Sequence, residues 1–571
     1  MLRLHRLYSE PKFFKEIIFE DGLNLILGET DDSSEKTNGV GKSLAIEFIN
    51  YCLLKQFSDS RVSKIPSKIF PTQALICLDF TINKSRINIK RDVKDGNSIE
   101  MMINSNSMIV DGVESVKLHL TKLLFGSSSA ESSPSFRQIM GILIRDERSE
   151  FKSIINGFDT SKRIPFDYTP HLYLLGINPM HYKEAKNFYT EKEAKQKLCR
   201  NIKKDVEKLT GKNFKDVNSE LNELIGQVEQ IQKEMDNLEN IESFDIIKEE
   251  IINLEIQLEE NRNKEGIIKL ELSKIKLFIG DNYISDIEIA ELYEGFREGL
   301  GNLIQKDLNE VMSFKKKIDT FQQTLLDMRK KSLDDKLINI RTKIKTLDKK
   351  YKEYLEILDE DGVLKNLKMT VAIYEKKVEE KSRLSAFVNK YDEYQQDIKD
   401  ITHDRQTSIL LLESIANDVQ SKKEDFEKRI LDIHNYIMGN KKSSFNIQFS
   451  EKKDIVEYSL RIHDDGSHSN EREKVFIYDI ALLLTKSLAK LHPSLLVHDN
   501  IFDVDQDTLV KSLNYLSENE DILSTKQYIL TLNRDKLRDE DIKKLKINLE
   551  DYTRASFSKS QRFLGKHYQE K

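Results

Sequence analysis

The sequence predicts an α/β domain assembled from the N- and C-terminal parts of the chain, with a long antiparallel α-helical coiled coil inserted between them. Turn-forming residues are scarce, because the 571 residues include only 21 glycines and 8 prolines, whereas globular proteins average about 7% Gly and 5% Pro. Residues 180–492 contain no proline. Since proline costs a helix interior about 3 kcal/mol, we expect long helices there. Both ends instead show the alternating and β-branched patterns of strands.

The N-terminal part, residues 1–180, is predicted to be the first half of the α/β domain. A short apolar run at residues 23–27 predicts a strand, and an apolar helical stretch at residues 44–54 follows a turn-rich loop. The runs at residues 74–80 and 86–93 alternate or are rich in β-branched residues, so they are expected to form a β-meander.

The middle of the chain is predicted to form two helical arms, residues 181–277 and 313–439, joined by a reversal within residues 278–312. Over residues 221–238 and 337–358, apolar residues recur alternately three and four positions apart, which puts one narrow apolar stripe on each helix. The alternative, an ordinary helical bundle, needs a wider apolar face. Glycines mark positions where the arms are kinked or segmented: Gly211, Gly226 and Gly362.

The C-terminal part, residues 440–571, is predicted to complete the α/β domain. Two strand patterns precede an apolar helix, and short apolar strands follow at residues 495–497 and 528–532. The last stretch, residues 552–571, carries five basic residues, one acid and several aromatic rings. It either contacts nucleic-acid phosphates and bases or packs as a tail on the α/β domain.

Composition indicates a cytoplasmic protein that does not enter a membrane. The formal net charge is −6, and the three cysteines form no CxxC pair, which is typical of a reducing compartment. The sequence contains no run of 18 apolar residues and no apolar leader at its start. Its charge balance alone does not indicate a nucleic-acid partner.

The strongest local pattern is NGVGKS at residues 38–43, between a predicted strand and a predicted helix. This is the setting of a phosphate-binding P-loop, in which backbone N–H groups at a helix N-terminus face the phosphates. We predict that Lys42 reaches the β- and γ-phosphates of ATP and that Ser43 binds Mg²⁺. The residues expected to contact the nucleotide here are Asn38, Gly39, Gly41, Lys42 and Ser43.

The loop departs from the full P-loop pattern in one respect. The first glycine of that pattern is replaced by Lys36. Residues 29–37 therefore resemble an insertion between the strand and the glycines.

A P-loop requires an acidic residue for its metal ion at the end of a buried strand. Asp499 follows the apolar strand predicted at residues 495–497. We predict that Asp499 and Ser43 hold the same Mg²⁺, which requires the two ends of the chain to meet.

Together these features resemble the SMC/RecF/RecN class of ABC-type ATPases, in which an antiparallel coiled coil separates the two halves of one ATPase head. The resemblance covers about residues 1–180 and 440–571, and the coiled coil in architecture only. It implies that Asp499 is the Walker B aspartate and that Gln138 is the Q-loop glutamine, a further group at the Mg²⁺. It also implies that Ser469 belongs to the signature segment, which reads the γ-phosphate bound to the opposite subunit.

Three departures from this family affect the expected chemistry. Asn500 stands where the family has a catalytic glutamate, and an amide cannot accept a proton as a base. Asn470 replaces the signature glycine, and Asn533 replaces the switch histidine. We therefore expect slow ATP hydrolysis, with Asn500 or Asp503 at the attacking water; Asp503 or Asp505 matches the D-loop acid.

The resemblance implies a homodimer joined through ATP-bound heads that binds double-stranded DNA and controls a partner protein such as a nuclease. The short arms and altered catalytic residues are most similar to the accessory SMC-like ATPases of bacterial anti-phage systems of the Lamassu type. Two alternatives remain open. One is a nucleotide-gated scaffold that has neither turnover nor DNA contact, and the other is a DNA-repair ATPase of the RecN type.

Overall fold

The computed structural model describes residues 1–31, 39–104, 106–108, 112–126, 132–157, 159–161, 164–211, 213–238, 245–281, 308–357, 364–462, 468–502 and 506–570. The chain forms two units. The head unit comprises Met1–Tyr189 and Asp404–Lys571, and the helical unit comprises Thr190–His403. The predicted fold class is therefore confirmed: both ends of the chain build one α/β body, and the helices are inserted between its halves.

The strands belong to the head unit. In chain order they are β1 (Leu2–Glu10), β2 (Ile17–Ile18), β3 (Gly22–Gly28), β4 (Leu75–Ile82), β5 (Ser85–Asp92), β6 (Ile99–Ile103), β7 (Asn106–Met108), β8 (Ile144–Arg145), β9 (Ser444–Phe449), β10 (Val456–Arg461), β11 (Leu495–Asp499), β12 (Gln527–Asn533) and β13 (Thr553–Phe557).

The helices lie in both units. In chain order they are α1 (Lys42–Cys52), α2 (Gly112–Phe125), α3 (Phe136–Leu143), α4 (Thr169–Leu174), α5 (Met180–Thr210), α6 (Phe214–Leu238), α7 (Asp245–Asp281), α8 (Leu308–Ile357), α9 (Leu364–Asp418), α10 (Gln420–Met438), α11 (His468–Leu484), α12 (Gln506–Glu518), α13 (Glu520–Leu523), α14 (Asp539–Ile542) and α15 (Leu549–Tyr552).

A five-stranded parallel sheet joins the two ends of the chain, with strand order β13–β3–β12–β11–β8. Strands β3, β11 and β12 are buried along their whole length. Parallel sheets are covered on both faces, so their strands are continuously apolar rather than alternating. This sheet aligns the carboxyl ends of β3, β12, β11 and β8 along one edge, where a site can form.

An antiparallel sheet of strand order β2–β1–β4–β5–β6–β7 forms the second layer of the head unit, and β9 pairs with β10 in a separate hairpin. Helix α1 lies against both large sheets, because it contacts β3 and β11 as well as β4 and β5. Its residues from Leu44 to Cys52 are all buried. The first helical turn after the glycine-rich loop is therefore held by the core of the head unit.

The long helices of the helical unit run parallel or antiparallel to one another. Helices α7 and α8 are antiparallel, because Arg262 contacts Asp348 at 3.2 Å whereas Glu271 contacts Arg329 at 3.1 Å. Helix α7 is also antiparallel to α6. Residues near the start of α7 cluster with Met235 near the end of α6, whereas Leu270, near the end of α7, packs with the start of α6. Several residues of the apolar stripes predicted in this part are buried: Leu224, Val228, Met235, Leu337 and Tyr351. Of these, Leu224, Met235 and Tyr351 belong to the two clusters.

The prediction of two arms with one reversal is corrected by this arrangement. Helices α5, α6 and α8 run in one direction, and α7 and α9 run in the opposite one. Helix α9 is parallel to α7, because its Glu375 and Glu379 meet Arg262 and Lys269 of α7 in the same order. Helix α5 is antiparallel to α9, because Lys195 and Cys199 contact Asp397 and Gln395 in reverse order. The predicted reversal at 278–312 lies largely outside the described residues. A stripe of spacing three and four requires a partner helix but does not specify which one, so the sequence left the number of reversals undetermined.

The boundary of the head unit also differs from the predicted one at residue 439. Helix α10 was assigned to the second arm, but it belongs to the head unit. Phe426, Ile430, Ile433 and Ile437 are at most 1% exposed and join the head core. The wide apolar face of this helix explains why it packs on the head.

Among the helices in the described part of the chain, none is sufficiently long and apolar to cross a membrane.

Candidate nucleotide-binding site

The glycine-rich loop lies between β3 and α1, as the sequence predicts. Gly39 and Gly41 have positive φ angles of 73° and 113°, and glycine adopts this region without a steric penalty. A side chain at Gly41 would also collide with Phe563, whose Cβ lies 2.5 Å from the position of an added Cβ. These glycines therefore keep the backbone open toward the start of α1. Asn38 and residues 32–37 of the predicted insertion lie outside the described residues.

Lys42 is the first residue of α1 and is only 6% exposed. Its Nζ donates a hydrogen bond to Oδ1 of Asn533, which ends β12 and lies opposite Gly28 of β3. Burial lowers the pKa of Lys42, and the nearby carboxylate of Asp499 opposes that shift. Lys42 and Asn533 therefore meet across 491 positions of sequence, as the predicted nucleotide site requires.

Ser43 and Asp499 also meet directly. Ser43 Oγ donates to Asp499 Oδ1 at 3.1 Å, and Thr531 Oγ1 donates to the same oxygen at 2.7 Å. Burial raises the pKa of Asp499 to about 6; the bonds from Thr531 and Ser43 oppose this shift, while the charges of Glu147 and Asp146 add to it. A buried carboxylate whose charge is poorly compensated is suited to a cation.

This donor set fits Mg²⁺ bound together with a nucleotide. Hydroxyl and carboxylate oxygens are the ligands that Mg²⁺ takes, and the ion commonly uses one or two protein groups plus phosphate oxygens. Within the described ranges, no three His, Cys, Asp or Glu side chains converge as a self-sufficient metal site. In such a site Ser43 and Asp499 would hold the ion together with phosphate oxygens of the nucleotide.

Asn500 follows Asp499 in a strained conformation with φ of 60°. Its N–H donates to Thr531 Oγ1 at 2.8 Å, and its carbonyl accepts from Arg472 Nη1 at 2.8 Å. Its side-chain Nδ2 donates to Glu147 Oε1 at 3.3 Å. Asn500 is therefore at the site, and its amide is directed at a carboxylate. Asp503 and Asp505 lie outside the described residues.

Glu147 is a site residue that the sequence prediction missed. It follows β8, which pairs with β11 in the register Arg145 to His498. Two residues further along each strand, Glu147 and Asn500 come together at the same sheet edge. The signal was present in the sequence, because an apolar run followed by Asp146 and Glu147 repeats the pattern that identified Asp499.

Gln138 is not at this site, which corrects its prediction as a Q-loop glutamine and metal ligand. Its Oε1 accepts the backbone N–H of Ser135 at 2.7 Å as part of a capping box at the start of α3. Its Nε2 donates to Asp167 Oδ2 at 2.7 Å. Gln138 lines a separate cavity of about 290 Å³. A capping box fixes its side chain locally, so it does not reach the phosphate loop.

Ser469 lies in the first turn of α11, and its side chain is outside the described part of the chain. Further along α11, Asp479 is buried and accepts from Arg145 Nε at 2.5 Å. His498 contacts the same carboxylate at 3.0 Å. This buried network connects α11 with β8 and β11, and so fixes the helix that carries Ser469 to the strands that carry Asp499 and Glu147.

The site opens into a cavity of about 420 Å³. The P-loop residues that line it are Gly39, Val40, Gly41, Lys42, Ser43 and Leu44. Glu147 and Asn500 line it too, together with Arg61 and residues from the C-terminal end of the chain. This volume lies within the range of about 300–1,000 Å³ that ligand pockets occupy.

Comparison with known proteins gives distant similarities. Residues 426–568 match a family described as "Uncharacterised protein conserved in bacteria (DUF2326)". The chain is 23% identical over 584 residues to "Uncharacterized protein YydD" of Bacillus subtilis (strain 168), and the alignment covers 94% of each protein. The family match includes Asp499, Asn500 and Asn533, but it does not include the P-loop near the N-terminus.

Two solved structures align with this chain over most of its length. One is the Smc head domain with a coiled coil and joint from Pyrococcus yayanosii, with 14% identity, a TM-score of 0.35, and coverage of 96% of this chain and 94% of that one. The other is the Smc head domain with an extended coiled coil, bound to the C-terminal domain of ScpA, from Pyrococcus furiosus. Its identity is 11% and its TM-score 0.31, with coverage of 94% and 91%.

Proposed function

We propose that this protein binds ATP with Mg²⁺ in the cavity between the P-loop and Asp499. The observation that carries the proposal is the bond from Ser43 to Asp499, which brings the two expected metal-binding oxygens together. Lys42 is fixed at the start of α1 and would contact the β- and γ-phosphates. Backbone N–H groups at the N-terminus of α1 add a favourable field for the anion.

We further propose that hydrolysis is slow and depends on Glu147. Asn500 holds the position next to Asp499 but cannot take a proton. Glu147 is a carboxylate that lines the same cavity and accepts from Asn500. It would position or deprotonate water, with the Asn500 amide orienting its carboxylate. Asp503 remains a second candidate from the sequence.

The expected assembly is a homodimer in which Ser469 of one head approaches the nucleotide of the other. This proposal is supported by the position of Ser469 in the first turn of α11, and by the network that connects α11 to the Asp499 strand. We propose that head engagement is coupled to double-stranded DNA and to a partner effector in a cytoplasmic anti-phage system. That step rests on the resemblance seen in the sequence.

A scaffold without turnover or DNA contact is the second candidate. Asn500 favours the scaffold, because it stands where ATPases of the SMC/RecF/RecN class have a catalytic glutamate. A RecN-type repair ATPase would share the same nucleotide site and differ in its DNA substrate.

Binding of ATP with and without Mg²⁺, phosphate release and molecular mass in solution test these proposals together. We expect Mg²⁺-dependent ATP binding, an ATP-dependent increase in mass to that of a dimer, and slow phosphate release that linear double-stranded DNA accelerates. Binding and dimerisation without phosphate release or DNA retention would establish the scaffold instead. Absence of ATP binding by the wild-type protein would refute the nucleotide site itself.

A further inference from the structure

The chain ends in a segment that lies on the P-loop. We name residues 558–570 the C-terminal strap; they follow β13, which pairs with β3. Phe563 N–H donates to the carbonyl of Val40 at 3.0 Å, and Arg562 Nη1 donates to the carbonyl of Gly39 at 2.8 Å. Two backbone carbonyls of the P-loop are therefore satisfied by the strap.

The strap is anchored in the core of the head unit. Phe563 is 2% exposed, and its ring centroid lies 4.7 Å from that of Phe14 and 5.3 Å from those of Phe48 and Phe557. Ser560 N–H and Oγ both donate to Asp31 Oδ2 at 2.7 Å. The tail therefore packs on the head unit, as one of its two predicted interpretations requires.

Beyond its anchor, the strap forms a wall of the same cavity as Lys42. Its lining residues are Arg562, Leu564, Lys566, Tyr568 and Glu570. Arg61 lines the cavity beside them and is held by Glu570, with Arg61 Nε 2.7 Å from Glu570 Oε1. Glu147 and Asn500 line this cavity as well.

The charges of the cavity favour a polyphosphate. Lys42, Arg61, Arg562 and Lys566 are cationic, whereas Glu147 and Glu570 are the carboxylates in the lining. Arg562 already donates to two backbone carbonyls, those of Gly39 and Lys559, so it positions the loop. Lys566 is an exposed lysine at the wall, and Tyr568 is a half-buried aromatic ring beside it.

We propose that the C-terminal strap is the third component of the nucleoside triphosphate site, with Lys566 contacting the phosphate chain and Tyr568 contacting the nucleobase. The inference rests on the proposed function, since it assigns the two ends of the ligand within that cavity. The γ-phosphate lies toward Asp499, Asn500 and Glu147. The nucleoside then lies on the strap side, where an aromatic ring can stack on a base.

The test compares two ligands on the full-length protein. Lys566→Ala and Tyr568→Leu are titrated with Mg²⁺–ATP and with Mg²⁺–tripolyphosphate, which lacks ribose and base. We expect Lys566→Ala to weaken both ligands about ten-fold, because one charge-assisted contact is lost. Tyr568→Leu should weaken ATP about ten-fold and leave tripolyphosphate unchanged. Lys543→Ala and Tyr552→Leu, which alter residues outside the lining of this cavity, are the matched controls.

Hydrogen exchange gives an independent readout that does not depend on substitution. Since Phe563 N–H is bonded to Val40, Mg²⁺–ATP should slow exchange of strap amides at least as much as it slows P-loop amides. The inference is overturned if both strap variants bind ATP like the wild type, or if ATP leaves strap exchange unchanged. Failure of the nucleotide site itself is recognised separately, because the wild-type protein would then bind neither ligand.

Discussion

Ser43 Oγ donates a hydrogen bond to Asp499 Oδ1 across 3.1 Å, although 456 positions separate the two residues in the chain. Strand β12 lies between β3 and β11 in one parallel sheet, so the residues that follow β3 and those that end β11 share an edge. Residues from the N-terminal and C-terminal parts of the chain therefore form one site.

Lys42→Ala should lower ATP affinity about 100-fold or more and abolish ATP-dependent dimerisation. The ammonium is fixed at the start of α1 and is the cation placed for the β- and γ-phosphates. Equilibrium binding of a fluorescent ATP analogue and light scattering measure the two effects. The exposed Lys15→Ala serves as the control. Wild-type affinity in Lys42→Ala would remove the P-loop assignment.

Asp499→Asn should stabilise the nucleotide-free protein while eliminating its stabilisation by Mg²⁺–ATP. A pKa raised from 3.8 to about 6 means that the ionised carboxylate destabilises the folded state by about 3 kcal/mol at pH 7. Because the pKa of Asp499 is higher in the folded state than in the unfolded state, this destabilisation of the wild-type protein is absent below about pH 4 and complete above about pH 6. Unfolding free energies of both proteins at pH 4.5 and pH 7 test this. An equal difference at both pH values would contradict the prediction.

Glu147→Gln should reduce phosphate release about 10²–10⁴-fold, the usual contribution of a general base, and leave ATP affinity within about two-fold. The amide keeps the size of the side chain and can still accept from Asn500. Single-turnover phosphate release measures the effect. Glu150→Gln, a nearby exposed carboxylate, is the control. If only Asp503→Asn reduces the rate, the base is Asp503 instead.

His171 should make the protein less stable as the pH falls below 6.5. It is buried, bonded to Tyr478 Oη at 2.8 Å and to the carbonyl of Ile155 at 3.0 Å, and burial together with the charge of Arg145 lowers its pKa to about 4. The unfolded state then binds more protons between pH 6.5 and pH 4, so folding stability falls with pH in that window. The stability difference between wild type and His171→Gln should shrink by about 2 kcal/mol from pH 6.5 to pH 4.5. His403→Gln, at an exposed histidine, is the control.

Arg145→Met should destabilise the head unit by about 3–5 kcal/mol, because it leaves the Asp479 carboxylate buried without its cation. Arg145 is fully buried and its Nη2 also contacts Asp479 Oδ1 at 3.0 Å. The double variant with Asp479→Leu should recover part of this loss. Chemical unfolding of the three proteins gives the comparison, and a double variant less stable than the single one would refute this account.

The coarse fold and the central residues of the site were predictable because each has a local signature. The strand before the P-loop, the glycines and Lys42 are adjacent in sequence, and Asp499 follows a short apolar strand. Asn533 was found through the family resemblance, and the structure brings its side chain to Lys42. The assignments of Asn500 and Ser469 to catalysis and dimer contact remain predictions.

Other features depend on partners far away in the chain, so a local signature alone does not place them. The family resemblance implies that Gln138 is the Q-loop glutamine, but a bond to Asp167 and a local cap hold its side chain elsewhere. Glu147 was overlooked because its role follows from the pairing of β8 with β11.

The amino-acid sequence by itself determined the halves of the head, the phosphate loop and the need for long paired helices, because these follow from spacing and composition within short windows. Tertiary structure alone decided how many times the helices reverse, which carboxylate faces Asn500, and where the C-terminal strap lies. Those outcomes depend on strand order and on which apolar faces pack together. Such contacts join residues that lie from 58 to 523 positions apart, where local preferences carry no information.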